Sequence, residues 1–206
     1  MNIEAANAKV KMDKVEVDGN GAAVGYIVTD PSGVGTLTAR YGPVSIERQI
    51  NYDPDSDYSF NGLKKLIDDA KSNGTDRIEL NHDYEYVIGY DNITDGINIT
   101  QDYLTIDGRG HIIDAKGKTR IFNIGNSLSN ASHVTILNTT FSNGNASQYG
   151  GAIYWRGDLG KLANCSFENN HAASFGGAVY WDNAKGTITN SSFINNTAEY
   201  GGAIYA

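Results

Sequence analysis

The sequence is short of several things at once, and each shortage excludes a class of protein. There is one cysteine, Cys165, in 206 residues, so no intrachain disulfide can brace the fold. Three prolines against 24 glycines leave the turns to glycine, asparagine and aspartate. Basic residues are outnumbered, 16 Lys and Arg against 24 Asp and Glu, for a formal net charge of −8. Such a chain lacks the cationic face that counterion release requires, so neither nucleic acid nor anionic membrane is an expected partner. No apolar run reaches the ~18 residues of a membrane-spanning helix. The first residues, MNIEAANAKVKMDK, contain no apolar signal region. With 40% hydrophobic residues the chain can still bury a core, and wholesale disorder is not expected.

What is present is a repeat. The string GGA, a β-branched residue and Tyr occurs at Gly150–Tyr154, Gly176–Tyr180 and Gly201–Tyr205. A second marker, Phe-x-Asn-x, interleaves with it at Phe141, Phe167 and Phe193. Two markers sharing a period of 25 to 26 residues define one structural unit. Aligned on phenylalanine, the units read TILNTTF, KLANCSF and TITNSSF. Ile136, Leu162 and Ile188 then form one column, and Asn138, Asn164 and Asn190 another. The third column is Thr139, Cys165 and Ser191. Short alternating runs between Gly, Asn and Asp clusters have the period of strands, not of helices. Helical repeats need two amphipathic helices per unit, and a propeller blade needs about forty residues. One coil of a right-handed parallel β-helix fits, with like residues stacked about 4.8 Å apart. Asn138, Asn164 and Asn190 follow the inward residues by two, so a buried amide ladder is expected there.

Elsewhere the pattern changes. Residues 59–206 are expected to be a capping helix at about 60–72, followed by the solenoid. Phe60, Leu63, Leu66, Ile67 and Ala70 share one face of that helix, Ser59 is placed to N-cap it, and Asn73-Gly74 can end it. Residues 76–124 read as less regular coils. Residues 1–58 are expected to be a small β unit, part of an immunoglobulin-like module, and a linker. The chain stops in mid-coil, so further repeats and self-association through an uncapped coil end are expected.

These motifs resemble a known family. GGAI at 150–153 and 201–204, GGAV at 176–179, FENN and FINN are similar to the repeats of polymorphic outer-membrane proteins. The fuller set (SFNGLKKLIDDA, YLTIDGRGHIIDAKG, RIFNI, VTILNTTFSNG, GGAIYW) resembles adhesin-like surface proteins of methanogenic archaea over residues 58–206. FSNG departs from the pattern at Gly144. The resemblance implies an extracellular β-helix stalk with an adhesive role, its signal and anchor outside this segment. The partner would be a surface glycan or protein on another cell.

Candidate sites follow. Ile153, Val179 and Ile204 are taken as inward, so Tyr154, Tyr180 and Tyr205 should stand outward. With Trp155 and Trp181 following them, these residues would form an aromatic binding strip. Many β-helices are polysaccharide lyases or hydrolases, but a fold licenses no activity. The local candidate is IDGRGHIID, with Asp107, Arg109, His111 and Asp114; turn roles explain these better than a paired-carboxylate site. No catalytic residue, metal or cofactor is therefore expected. Cys165 reads as interior filler, because its equivalents are Thr139 and Ser191. Asp53, Asp55 and Asp57 start like a calcium loop, but Tyr58 and Lys64 occupy the positions that need Gly and Glu. The sequons expected to be open to glycosylation are Asn73, Asn92, Asn98, Asn130 and Asn145. Those at Asn138, Asn164, Asn190 and Asn195 read as structural. The favoured function is a non-catalytic adhesin-like stalk. A polysaccharide-acting enzyme and a surface-layer building block are the alternatives.

Overall fold

The computed structural model describes residues 57–125, 131–182 and 185–206, together with the strand backbones between residues 2 and 51. These fall into two compact units. The first holds β1 (Asn2–Ala6), β2 (Ala8–Lys9), β3 (Glu16–Val17), β4 (Ala23–Val24), β5 (Val28–Thr29), β6 (Val34–Tyr41) and β7 (Val44–Asn51). Its main sheet is antiparallel in the order β1-β6-β7, and β2 pairs with β5 and β3 with β4.

The second unit opens with α1 (Phe60–Asn73). The Ser59 hydroxyl accepts the Gly62 N–H at 3.2 Å and so satisfies one orphan donor of the first turn. At the other end Gly74 takes a left-handed conformation, φ 67°, which a residue with a Cβ resists. Phe60, Leu63, Ile67 and Ala70 are buried in one core cluster with Ile78, Leu80, Tyr84, Ile97 and Ile99. The helix thus covers the open end of the first coil, whose apolar interior would otherwise meet water.

Five coils follow, and they form a parallel β-solenoid. The first is β8 (Arg77–Glu79), β9 (Tyr84–Glu85) and β10 (Ile97–Ile99); the second is β11 (Thr105–Asp107), β12 (Ile112–Asp114) and β13 (Phe122–Ile124). The third is β14 (Thr135–Leu137), β15 (Thr140–Ser142), β16 (Asn145–Ala146) and β17 (Ile153–Trp155). The fourth is β18 (Gly160–Ala163), β19 (Ser166–Glu168), β20 (His171–Ala172) and β21 (Val179–Trp181). The last is β22 (Gly186–Thr189), β23 (Ser192–Ile194) and β24 (Ile204–Tyr205). Three parallel sheets result: β8-β11-β14-β18-β22, β9-β12-β15-β19-β23 and β10-β13-β17-β21-β24.

Register reproduces the repeat. Ile106 pairs with Ile136, Ile136 with Leu162 and Leu162 with Ile188. Phe141 pairs with Phe167 and Phe167 with Phe193. Their rings lie parallel in one file, centroids 4.9 Å apart at both steps. Each coil buries the apolar surface of its neighbour, which is why like residues recur.

One expectation is corrected at the first corner, between the β14 and β15 strands and their equivalents. Asn138, Asn164 and Asn190 do not point inward: Asn138 is half-buried, and the other two are exposed. All three have φ near 50°. A left-handed residue turns the chain through the corner and interrupts the alternation from which inward parity was reasoned. The small column takes the interior instead, and Thr139 and Cys165 are buried. The Cys165 thiol donates to the Ala163 carbonyl at 3.3 Å, and burial pushes its pKa up, although backbone contacts from Thr139 and Ala163 oppose the shift.

The buried amide ladder lies at the second corner. Asn170 is fully enclosed. Its Oδ1 accepts the Gly144 N–H at 2.7 Å, and its Nδ2 donates to the Phe141 carbonyl at 3.1 Å and to Asn196 Oδ1 at 2.9 Å. Asn196 repeats the pattern one coil on, donating to the Phe167 carbonyl at 2.9 Å. In the third coil the position is Gly144, the departure seen in FSNG. A Cβ there would be driven into the Gly151 carbonyl and would lie 2.8 Å from Asn170 Oδ1.

Candidate functional site

Two exposed features of the solenoid can meet a partner. The first is built by the outward positions of β17, β21 and β24. Tyr154, Tyr180 and Tyr205 are in register there, and centroid distances along the column are 5.3 and 5.6 Å. Beside it runs a second file, Tyr149, Phe175 and Tyr200, with centroids 5.8 and 5.0 Å apart. The files interlock, Tyr149 with Tyr180 at 4.8 Å and Phe175 with Tyr205 at 4.8 Å. Six rings therefore form one continuous face, open to solvent most fully at Tyr200 and Tyr205. The second file was not anticipated, although its signal is plain: an aromatic residue directly precedes each GGA. The glycines bring the files together. Gly150 has φ 57°, and a Cβ on Gly151 would collide with the Gly177 carbonyl of the next coil.

Trp155 and Trp181 do not belong to this face. Both are buried, and their rings stack at 4.6 Å and 8° inside the solenoid. Alternation requires this: Ile153 inward and Tyr154 outward return Trp155 to the interior. Space for the indoles comes from Gly160 and Gly186, where any Cβ would strike the Trp155 and Trp181 rings.

Tyr154 marks the polar end of the face. The Arg156 guanidinium lies over its ring at 4.3 Å and that of Arg120 at 5.3 Å. Its hydroxyl donates to Asp182 Oδ2 at 3.0 Å. Burial and that acceptor push the Tyr154 pKa up to about 12, with Arg156 opposing. Arg120 is almost fully enclosed, pairing with Asp95 at 2.8 Å and donating to the Tyr149 carbonyl at 2.6 Å.

The second feature is an open groove of about 730 Å³ along the first corner, lined among others by Asp107, Asn138, Asn164, Ser166, Asn190 and Ser192. Here the asparagines form an exposed ladder. Asn164 Nδ2 donates to Asn138 Oδ1 at 3.2 Å, and Asn138 Nδ2 donates to Asp107 Oδ1 at 2.9 Å. The amide dipoles point one way and end on an anion. At the second corner Asn143 Nδ2 likewise donates to Asp114 Oδ1 at 2.9 Å.

The IDGRGHIID residues are thereby placed. Burial works to raise the Asp107 pKa. Hydrogen bonds from Asn138 and the Arg109 N–H, together with the Arg77 guanidinium at 2.6 Å, outweigh it and hold the carboxyl low. Asp114 is lowered in the same way by Asn143 and Lys116, against burial. Arg109 pairs with Glu79, and His111 Nδ1 sits 3.1 Å from Asp83 Oδ1. The two carboxylates therefore terminate ladders at different corners. Among the described residues no cluster of His, Cys, Asp and Glu is arranged to hold a metal, and no helix is long and apolar enough to cross a membrane.

Of the sequons, Asn73, Asn92, Asn98 and Asn145 are exposed. Asn130, Asp53 and Asp55 lie outside the described residues. The exposure of Asn164 and Asn190 removes burial as a reason for leaving them unmodified.

Comparison with known proteins finds a matching repeat family. The model of the Chlamydia polymorphic membrane protein repeat fits residues 164–180 and 190–206, each a stretch from the first corner to the glycine motif. No curated protein and no solved structure matches the chain.

Proposed function

We propose that the chain is the rod of a cell-surface adhesin-like protein, non-catalytic, which holds an extended glycan of another cell or wall against its aromatic face. The observation that carries this reading is the continuous six-ring face on the solenoid. Tyrosine and phenylalanine rings gain from contact with the apolar C–H faces of sugars, while tyrosine hydroxyls bond the rim. The rings recur once per coil, with centroids 5.0 to 5.8 Å apart along the two files, so the face offers an extended ligand an aromatic contact at each step. The match to a polymorphic membrane protein repeat supports a surface role, and the sequence resemblance over residues 58–206 extends this to archaeal adhesin-like proteins.

The test is attachment of the purified chain to glycan arrays and whole cells. Tyr200→Ala and Tyr180→Ala should each keep the circular dichroism of the parent and lose most of the binding. Unchanged attachment by both folded variants would leave the rings as mere stiffeners of the coil. Release of reducing or unsaturated sugar products would favour a polysaccharide-acting enzyme instead.

A further inference from the structure

We infer that the Arg156 end of the aromatic face selects acidic sugars, engaging the carboxylate of a uronic-acid residue; this rests on the glycan reading above. The described residues include the side chains of four arginines. Arg77 pairs with Glu79 and Asp107, Arg109 with Glu79, and Arg120 with Asp95. Arg156 has no carboxylate in ion-pair range among the described residues. Its one side-chain hydrogen bond is a long one, Nη2 to Asn123 Oδ1 at 3.4 Å, and its buried Nε has no partner.

A half-buried guanidinium left without an anion in a chain of net charge −8 is the odd group in the solenoid. Its position is as informative as its lack of a partner. Asn123 and Tyr154 are register partners on adjacent coils, so Arg156 stands where the outward column changes from asparagine to tyrosine. The guanidinium carbon lies over the Tyr154 ring, and the only hydrogen bond of its terminal nitrogens among the described residues is the long one from Nη2 to Asn123. Asn123 is itself tethered, its Nδ2 donating to Asp95 Oδ2 at 3.2 Å. A fork of parallel N–H donors beside a ring face matches a sugar that stacks through its C–H face and carries a planar two-oxygen acceptor. The neighbouring acids are engaged by other groups: Asp95 is held by Arg120 and Asn123, and Asp182 accepts from the Tyr154 hydroxyl. That leaves Arg156 as the one described arginine without a carboxylate partner.

The experiment is calorimetric titration of the whole chain with a galacturonic acid hexamer and with the neutral galactose hexamer, at low and high salt. The acidic hexamer should bind more tightly, and salt should erode that advantage. Arg156→Gln should weaken the acidic hexamer by about 10- to 100-fold, the range for a lost charge-assisted hydrogen bond, and leave the neutral one unchanged. Arg156→Lys, which keeps the charge and loses the fork, should restore only part. Equal affinity for the two hexamers, or an acidic preference that survives Arg156→Gln, overturns the inference while leaving the glycan reading intact. Failure of both hexamers to bind, with Tyr180→Ala also silent in cell attachment, overturns both.

Discussion

Replacing Asn170 by alanine tests whether the enclosed amide ladder holds adjacent coils together. The side chain is fully buried and makes three bonds: it accepts from Gly144 N–H and donates to the Phe141 carbonyl and to Asn196 Oδ1. Alanine leaves the Gly144 N–H in the interior without an acceptor, a penalty of about 1–3 kcal/mol. It also removes one donor each from Phe141 and Asn196, at roughly 0.5–1.5 kcal/mol apiece. These terms sum to about 2–6 kcal/mol, and because the Asn170 N–H still donates to Asn196 Oδ1 the expected loss lies in the lower half, about 3 kcal/mol. With a urea slope of about 2 kcal/mol/M, the midpoint should fall by roughly 1.5 M. Both tryptophans of the chain, Trp155 and Trp181, stack within the third and fourth coils, so their fluorescence reports the coils that Asn170 joins. Asn196→Ala is the internal control. Its bonds are only partly buried, water can replace them, and the loss should be about 1 kcal/mol. If Asn170→Ala costs no more than its control, the ladder is not enclosed and the reasoning fails.

Other substitutions probe the same packing. Gly144→Asn restores the repeat pattern yet should destabilise in the same urea titration, because its Cβ meets the Gly151 carbonyl; a stabilised variant would show that the third coil can relax. Phe167→Ala removes the middle ring of a file stacked at 4.9 Å on both sides and should cost about 3–5 kcal/mol, checked by loss of the cooperative transition at the parent midpoint. Gly160→Ala should be unfavourable by about 1–3 kcal/mol through overpacking against Trp155, with a fluorescence shift as the indole moves. Asp107 and Asp114 have folded pKa values below the ordinary carboxylate range. Their contribution is present above the unfolded value and is lost as pH falls through the folded one. Asp107→Asn should flatten the acid limb of a stability-versus-pH curve, and an unchanged limb would remove the Asp107 carboxylate as a contributor to it.

The later coils were legible because three columns, Ile136/Leu162/Ile188, Phe141/Phe167/Phe193 and the GGA motif, repeat at one period. Stacking demands that repetition, since each residue packs on its own copy. Earlier coils obscure it. Register partners there are 28 residues apart at Arg77 and Thr105 and 30 apart at Thr105 and Thr135, so the same strands occur with turns of different length. A search for a fixed period passes over them, and only their apolar cores, Ile78, Ile106 and Ile136, line up. Helix α1 was readable by the opposite route, from a single face and two caps, which need no repeat at all.

The site was harder to read than the fold because composition does not say which way a side chain faces. Asparagine fills two adjacent columns at the second corner of the fourth coil, Asn169 and Asn170: the first takes φ 56° and is exposed, the second is enclosed. Parity counted from a strand fails at the left-handed residue, so the Asn138 column was placed inside and the Asn170 column was overlooked. The tyrosine and tryptophan pair shows the converse. Tyr154 and Trp155 are equally aromatic and adjacent, and chemistry alone groups them; the two-residue period of the strand separates them. The deciding signal lies in Gly160 and Gly186, whose missing side chains make room for an indole on each coil. Read together, aromatic and glycine columns sort core rings from surface rings. They leave Tyr149, Phe175 and Tyr200, whose adjoining glycines admit backbone in place of an indole, as rings that must face outward.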